Sequence, residues 1–155
     1  MQSPEDQLRA CGIELPEPVA PKGVYRSVII TETIAATSGH LPCDKDGVLV
    51  TGKVGIDLDL DAGFDAARKA GLAVLASLRA ELGTLDRVVR VIKVLGFVNC
   101  MPDFTDQPAV INGCSELFRD VFGEKQGVGI RSAVGATSLP LGVAVELEAM
   151  FEITP

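Results

Sequence analysis

Twelve consecutive residues, Val88 to Asn99 (VVRVIKVLGFVN), carry five valines and one isoleucine. β-branched side chains are stiff and suit a pleated surface better than a helix. Arg87, Arg90 and Lys93 step by three, a weak helical hint that the Val, Ile and Phe enrichment outweighs. A strand from Val88 to Asn99 is therefore expected. It is apolar on both sides, so both faces need covering, and that requirement governs the rest of the chain.

One cover lies just upstream. In residues 58–82, Phe64, Ala67, Gly71, Leu75, Leu78 and Leu82 recur at three- and four-residue steps, the spacing of one helical face. Asp57, Asp59 and Asp61 cluster where exposed helix N–H groups favour negative charge, and Gly83 supplies a stop. Gly71 inside this helix points to close packing, expected against a sheet. A second helix is expected from about Gln107 to Phe122, with Val110, Cys114, Leu117, Phe118 and Val121 inward and Gly123 ending it. Further strands follow from the pattern. VYRSVIITETIAATSG suits two strands with a tight turn near Glu32 and Thr33. Asp46-Gly47 marks a turn, and Val48–Val50 is expected to add a short strand. GIRSAVGATSLPLGVAVELEAMFEI reads as a strand, a loop through Ser138–Gly142, and a last strand with Val143, Val145, Leu147, Ala149 and Phe151 on one side.

The order ββ(β)αβαββ defines an α+β fold: a mostly antiparallel sheet with two helices on one face. At 155 residues the chain is one ordinary domain. The uncovered sheet face points to a partner subunit. Residues 1–22 read as an N-terminal strap. EDQLRACG is expected to form a short helix ended by Gly12, and the proline-rich ELPEPVAPKG to run over the surface into a single domain at 23–155.

Composition narrows the function classes. Fourteen Lys and Arg against 21 Asp and Glu give a formal charge of -7, which disfavours a broad cationic face for nucleic acid but leaves room for a local cationic pocket. No apolar stretch reaches membrane-spanning length. The N-terminus MQSPEDQLRACG lacks the basic-then-apolar order of a secretory signal. Cys11, Cys43, Cys100 and Cys114 form no CxxC pair and His40 is the lone histidine, so no metal site is expected. Scattered cysteines fit reduced thiols in a cytoplasmic protein.

The segment around Arg131 carries a resemblance. Gly129-Ile130-Arg131-Ser132-Ala133-Val134-Gly135, then Ser138-Leu139-Pro140-Leu141-Gly142, then Val145-Glu146-Leu147-Glu148-Ala149 resemble the Rid/YjgF family of reactive-intermediate deaminases, also labelled L-PSP endoribonuclease-like. Thr37-Ser38-Gly39 with Leu41-Pro42, and Asn112 followed by Phe118, fall in the matching order over about residues 23–153. The N-terminal strap and extra residues near 48–56 and 101–107 resemble a longer subgroup. The resemblance implies a fold like the bacterial trimeric chorismate mutase, a homotrimer, and ligand clefts between subunits. It implies hydrolysis of small 2-enamine or 2-imino acids to 2-keto acids and ammonia, without cofactor or metal.

It also implies roles. Arg131 matches a substrate-binding arginine, and a guanidinium fork suits a carboxylate. Glu146 matches the glutamate proposed to position or activate water, while Glu148, two residues on and on the same side, reads as structural. Tyr25 falls where a cleft tyrosine stands, Ser38 and Gly39 shape the backbone beside the cleft, and Asn112 anchors a loop or contacts ligand. Arg131 and Glu146 are expected to line one pocket with Tyr25 near its mouth. Ala133 stands where some relatives have cysteine, so cysteine chemistry is absent there. Leu139-Pro140-Leu141-Gly142 is more apolar than lysine-bearing versions, pointing either to less polar acids or to interface packing. Two other classes stay open: a non-catalytic module binding keto or amino acids, and a structural interaction protein. Ribonuclease activity has little support in a chain with no basic stripe and no aromatic platform, and chorismate mutase activity is suggested by fold alone.

Overall fold

The structure, a computed structural model, describes residues 2–155. The elements are α1 (Pro4–Ala10), β1 (Val28–Thr31), β2 (Ile34–Thr37), α2 (Leu60–Leu82), β3 (Val88–Asn99), α3 (Gln107–Gly127), β4 (Ile130–Ala136) and β5 (Val145–Ile153). The strands form one sheet in the order β1-β2-β5-β3-β4. Three of its pairings are antiparallel, and β3 runs parallel to β4, as a strand–helix–strand crossover through α3 requires.

The two long helices cover one face. Val145, Leu147, Ala149, Phe151 and Ile153 of β5 turn toward them and are buried, with Val91, Val94 and Val98 of β3 beside them. Phe118, Phe122 and Phe151 pack edge-to-face, with ring centroids 5.6–6.3 Å apart. The second face of the sheet is left open within the chain. It carries Ile29, Val134 and Met150, all exposed.

Helix ends follow local chemistry. Asp59 caps α2 through its side chain and the amide of Ala62, and Gly83 closes the other end with φ +82°. Asp57 instead accepts from the Lys53 amide. The strap contributes α1, whose Leu8 is buried in the core, and Glu5 accepts from the Leu85 amide.

Four expectations need correction. Gly71 admits close packing against α3 rather than the sheet: a Cβ there would meet Leu117 Cδ2 at 3.0 Å and Cys114 Sγ at 3.1 Å. Phe64 is only half-buried, because neighbouring Gly63 and Ala66 take the inward direction. Val48–Val50 forms no strand; Leu49 makes one bridge to Cys43 within a loop that folds back on itself. The second helix does not stop at Phe122. Gly123, with φ +82° and ψ 167°, breaks its geometry, and a further turn carries the chain to Gly127.

Candidate functional site

Arg131 lies near the start of β4, the edge strand beside β3. Its register partner is Val94, which faces the helices, so the arginine leaves the sheet on the helix side. There Arg131 Nη1 donates to Asn112 Oδ1 at 2.7 Å and to Ser115 Oγ at 3.0 Å. Asn112 and Ser115 are three apart on α3 and so share one helix face. Both acceptors are neutral. Among the described residues no ion pair involves Arg131. Its charge is thus oriented by the protein without being neutralised by it. A cavity of about 360 Å³ opens here, walled by Arg131, Asn112, Ser115, Glu116 and the turn at residues 127–130. The sequence resemblance marks Asn112 as a loop anchor or ligand contact but does not single out Ser115. The three-residue step between them was the available signal.

Glu146 lies near the start of β5, between Val145 and Leu147, which are buried under the helices. Alternation puts it on the open face, opposite Phe97 in register. Its carboxyl group rests against Gly39: a Cβ on that glycine would stand 2.9 Å from Glu146 Cδ and collide with Oε1. The absent side chain is what lets the carboxylate sit there. Burial, and then the nearby charge of Glu148, push the Glu146 carboxyl above its usual range.

His40 fixes the strip that carries Gly39. Its backbone pairs with Leu147 in both directions, N to O at 2.6 Å and O to N at 3.0 Å. Its ring Nδ1 lies 2.8 Å from the Ser38 carbonyl, and Nε2 lies 2.8 Å from Ser77 Oγ. A carbonyl can only accept, so Nδ1 carries the proton and Nε2 accepts from the serine hydroxyl. Burial holds the imidazole below its ordinary pKa, which favours the neutral ring. Nothing local in the sequence announces this pair, since the partners stand 37 residues apart.

Ser38, Gly39 and Tyr25 line a second cavity of about 330 Å³, together with His40, Leu41 and Leu141. Tyr25 precedes β1 rather than lying on it, and is 54% exposed.

The expected single pocket is therefore not formed within one chain. Tyr25, Ser38, Gly39 and Glu146 are brought together at one end of the sheet. Arg131 and Asn112 are brought together on the other face, across β3. Fifteen residues separate Arg131 from Glu146, and the chain between them passes through a turn where Leu141 and Gly142 are both left-handed, at φ +57° and +70°. Alternation keeps its parity through that turn: Arg131 and Ala149 both pair with Val94 and both face the helices, so the odd separation of fifteen leaves Glu146 on the open face. Among the described residues no group of three or more His, Cys, Asp or Glu is placed to hold a metal ion, and no helix is long and apolar enough to cross a membrane.

Comparison with known proteins places this geometry. Residues 5–147 match a family described as "YjgF/chorismate_mutase-like, putative endoribonuclease". Protein TCP17 of Trypanosoma cruzi is 43% identical over 146 residues, covering 94% of this chain and 91% of that protein. The crystal structure of Atu1372 from Agrobacterium tumefaciens, a protein of unknown function, is 38% identical with a TM-score of 0.87, covering 97% of this chain and 94% of that one. The crystal structure of a "putative endoribonuclease" from Shewanella oneidensis is 29% identical with a TM-score of 0.93, covering 98% of this chain and all of that one.

Proposed function

We propose, from the premise that this chain belongs to the YjgF/chorismate-mutase-like family, that it hydrolyses small 2-imino acids to 2-keto acids and ammonia. The working unit is a homotrimer, and each site joins the Arg131 half of one subunit to the Glu146 half of the next. The observation that carries this reading is Arg131: an exposed guanidinium, aimed by Asn112 and Ser115, and in no ion pair among the described residues. Such a group suits a small carboxylate, which it holds by charge-assisted, bidentate hydrogen bonds.

The chemistry follows from what the two halves supply. Arg131 binds the carboxylate and fixes the adjacent imine carbon. With the imine nitrogen protonated, Glu146 takes a proton from water as the water oxygen adds to that carbon, and the C=N π pair moves to nitrogen to leave a neutral carbinolamine. Glu146 returns its proton to nitrogen, the C–N bond breaks as ammonia leaves, and the hydroxyl proton passes back to Glu146 as the keto group forms. A carboxylate with a raised pKa is a stronger base than an ordinary one. The open apolar sheet face gives subunits something to bury.

The test supplies imines made freshly from amino acids by an amino-acid oxidase and follows keto acid release above the spontaneous rate. Arg131→Ala should weaken binding of keto acids by at least about tenfold, the worth of one charge-assisted bond. Wild-type protein that binds pyruvate but accelerates no imine would instead be a binding module. Unchanged binding by R131A would remove the clamp.

A further inference from the structure

We propose that the cavity beside Gly39 is the pocket for the substrate's side chain, that it selects branched apolar 2-imino acids, and that Leu141 determines this selectivity. The proposal rests on the deaminase reading and adds a substrate class to it.

The first observation is the lining. The cavity of about 330 Å³ lies between the strap, the loop after β2, and the turn before β5, walled by Val19, Leu41, Cys43, Leu49, Ala73 and Leu141. That space is at the scale of small-molecule sites and far more than the methyl group of a three-carbon imino acid would fill.

The second is that the imidazole on its wall is already spent. Both ring nitrogens of His40 are engaged, one by the Ser38 carbonyl and one by Ser77. Burial favours the uncharged ring. His40 therefore offers a ligand a neutral flank, with neither a charge nor an unused donor. Hydroxyls remain on Tyr25, Ser27 and Ser38, and Lys22 adds a cation on the strap side.

The third is Leu141 itself. Its backbone has φ +57° and ψ 15°, the left-handed conformation that glycine adopts freely and a leucine does not. Its side chain is 70% exposed, so core packing does not account for a leucine there. A strained backbone that presents an apolar side chain to a cavity marks a position held for what it touches. The turn is pinned on both sides: the Gly142 amide donates to the Leu139 carbonyl, and the Gly142 carbonyl accepts from the Gly52 amide. Leu141 is thus a fixed rim.

The fourth is continuity. Gly39 lines this cavity and also bears the Glu146 carboxyl. An imine carbon held near Glu146 has its side chain next to the apolar space.

The experiment uses the full chain and two imines generated in situ, those of alanine and of leucine. Wild type should show a kcat/KM for the leucine imine at least about tenfold above that for the alanine imine, within the range one or more methylenes give in an apolar pocket. Leu141→Gly should lower the leucine value by about tenfold and leave the alanine value within about twofold, while Leu141→Met restores it. Glycine fits φ +57° without strain, so a thermal melt should show L141G at least as stable as wild type. Equal rates on both imines, or equal loss on both in L141G, would overturn the pocket while the deaminase reading stands. If neither imine is accelerated, that reading fails and titration decides the pocket. Tighter binding of 4-methyl-2-oxopentanoate than of pyruvate, lost in L141G, would support it; equal binding would overturn it.

Discussion

Gly39 and Glu146 make a testable pair at the level of single residues. A Cβ at Gly39 would strike the end of the Glu146 side chain, a group that can swing aside, and the Gly39 backbone is not left-handed. Gly39→Ala should therefore fold with a melting temperature near wild type yet lose roughly 10-fold or more in turnover, because the base is displaced. Imine-hydrolysis rates beside thermal melts would show the split; equal loss of stability and rate would count against it. The raised pKa of Glu146 gives a second handle. The folded protein binds this proton more tightly than the unfolded chain, so its stabilising contribution is complete below the ordinary value of 4.5 and is lost as pH rises through the folded pKa. Glu146→Gln should thus raise the melting temperature at pH 7 while abolishing most turnover. Removing the neighbouring charge with Glu148→Gln should move the acid limb of the pH–rate profile to lower pH, and only part of the way, because burial is the larger cause. An unmoved limb would show that another group titrates there. Alternation along β5 made the shared side of Glu146 and Glu148 legible in the sequence. The opposite placement of Arg131 was less so: the odd separation of fifteen residues gives it only if alternation keeps its parity through the intervening turn, which it does although Leu141 and Gly142 there are both left-handed.

At the level of elements, α2 and α3 are held at close approach by glycine. At Gly113 a Cβ would collide with the Phe64 carbonyl and stand 3.0 Å from the Arg68 amide nitrogen. Backbone cannot step aside as a side chain can, so the helices would have to separate. Gly113→Ala should cost roughly 1–3 kcal/mol, the range for overpacked cores, even though alanine is the better helix former. Urea titration would read it as a lower midpoint at unchanged slope. An increase in stability would mean the crossing relaxes freely. Helical spacing made both helices and their inward residues legible, from Val110 to Val121 in particular. It could not say that Gly71 meets α3 and not the sheet, because periodicity identifies an inward face without naming the neighbour. The absence of a strand at Val48–Val50 has a similar cause. Val50 and Leu49 are apolar and β-prone, but the backbone of this loop is committed elsewhere: the Val50 amide bonds the Pro42 carbonyl, and its carbonyl accepts from the Ala144 amide.

For the whole molecule, the division of candidate residues between two sheet faces has a consequence that a single-pocket site would not have. If each site takes Arg131 from one subunit and Glu146 from its neighbour, damage to one residue can be complemented by a subunit damaged at the other. Arg131→Ala and Glu146→Gln proteins should each be nearly inactive alone. Unfolded together and refolded as mixed trimers, they should regain activity, since some interfaces then pair an intact Arg131 with an intact Glu146. Random assembly at equal amounts places both intact residues in roughly one site in four of a cyclic trimer. Mixing the two folded variants without refolding should give nothing until subunits exchange. Sedimentation equilibrium must in parallel return about three times the chain mass of 16.3 kDa. Rescue distinguishes the composite site from a site completed within one chain by a loop movement, because the latter leaves every mixed trimer as inactive as its parents. Inactive hybrids of the right mass would therefore retain the trimer and discard the shared site, whereas a stable monomer at micromolar concentration would discard both.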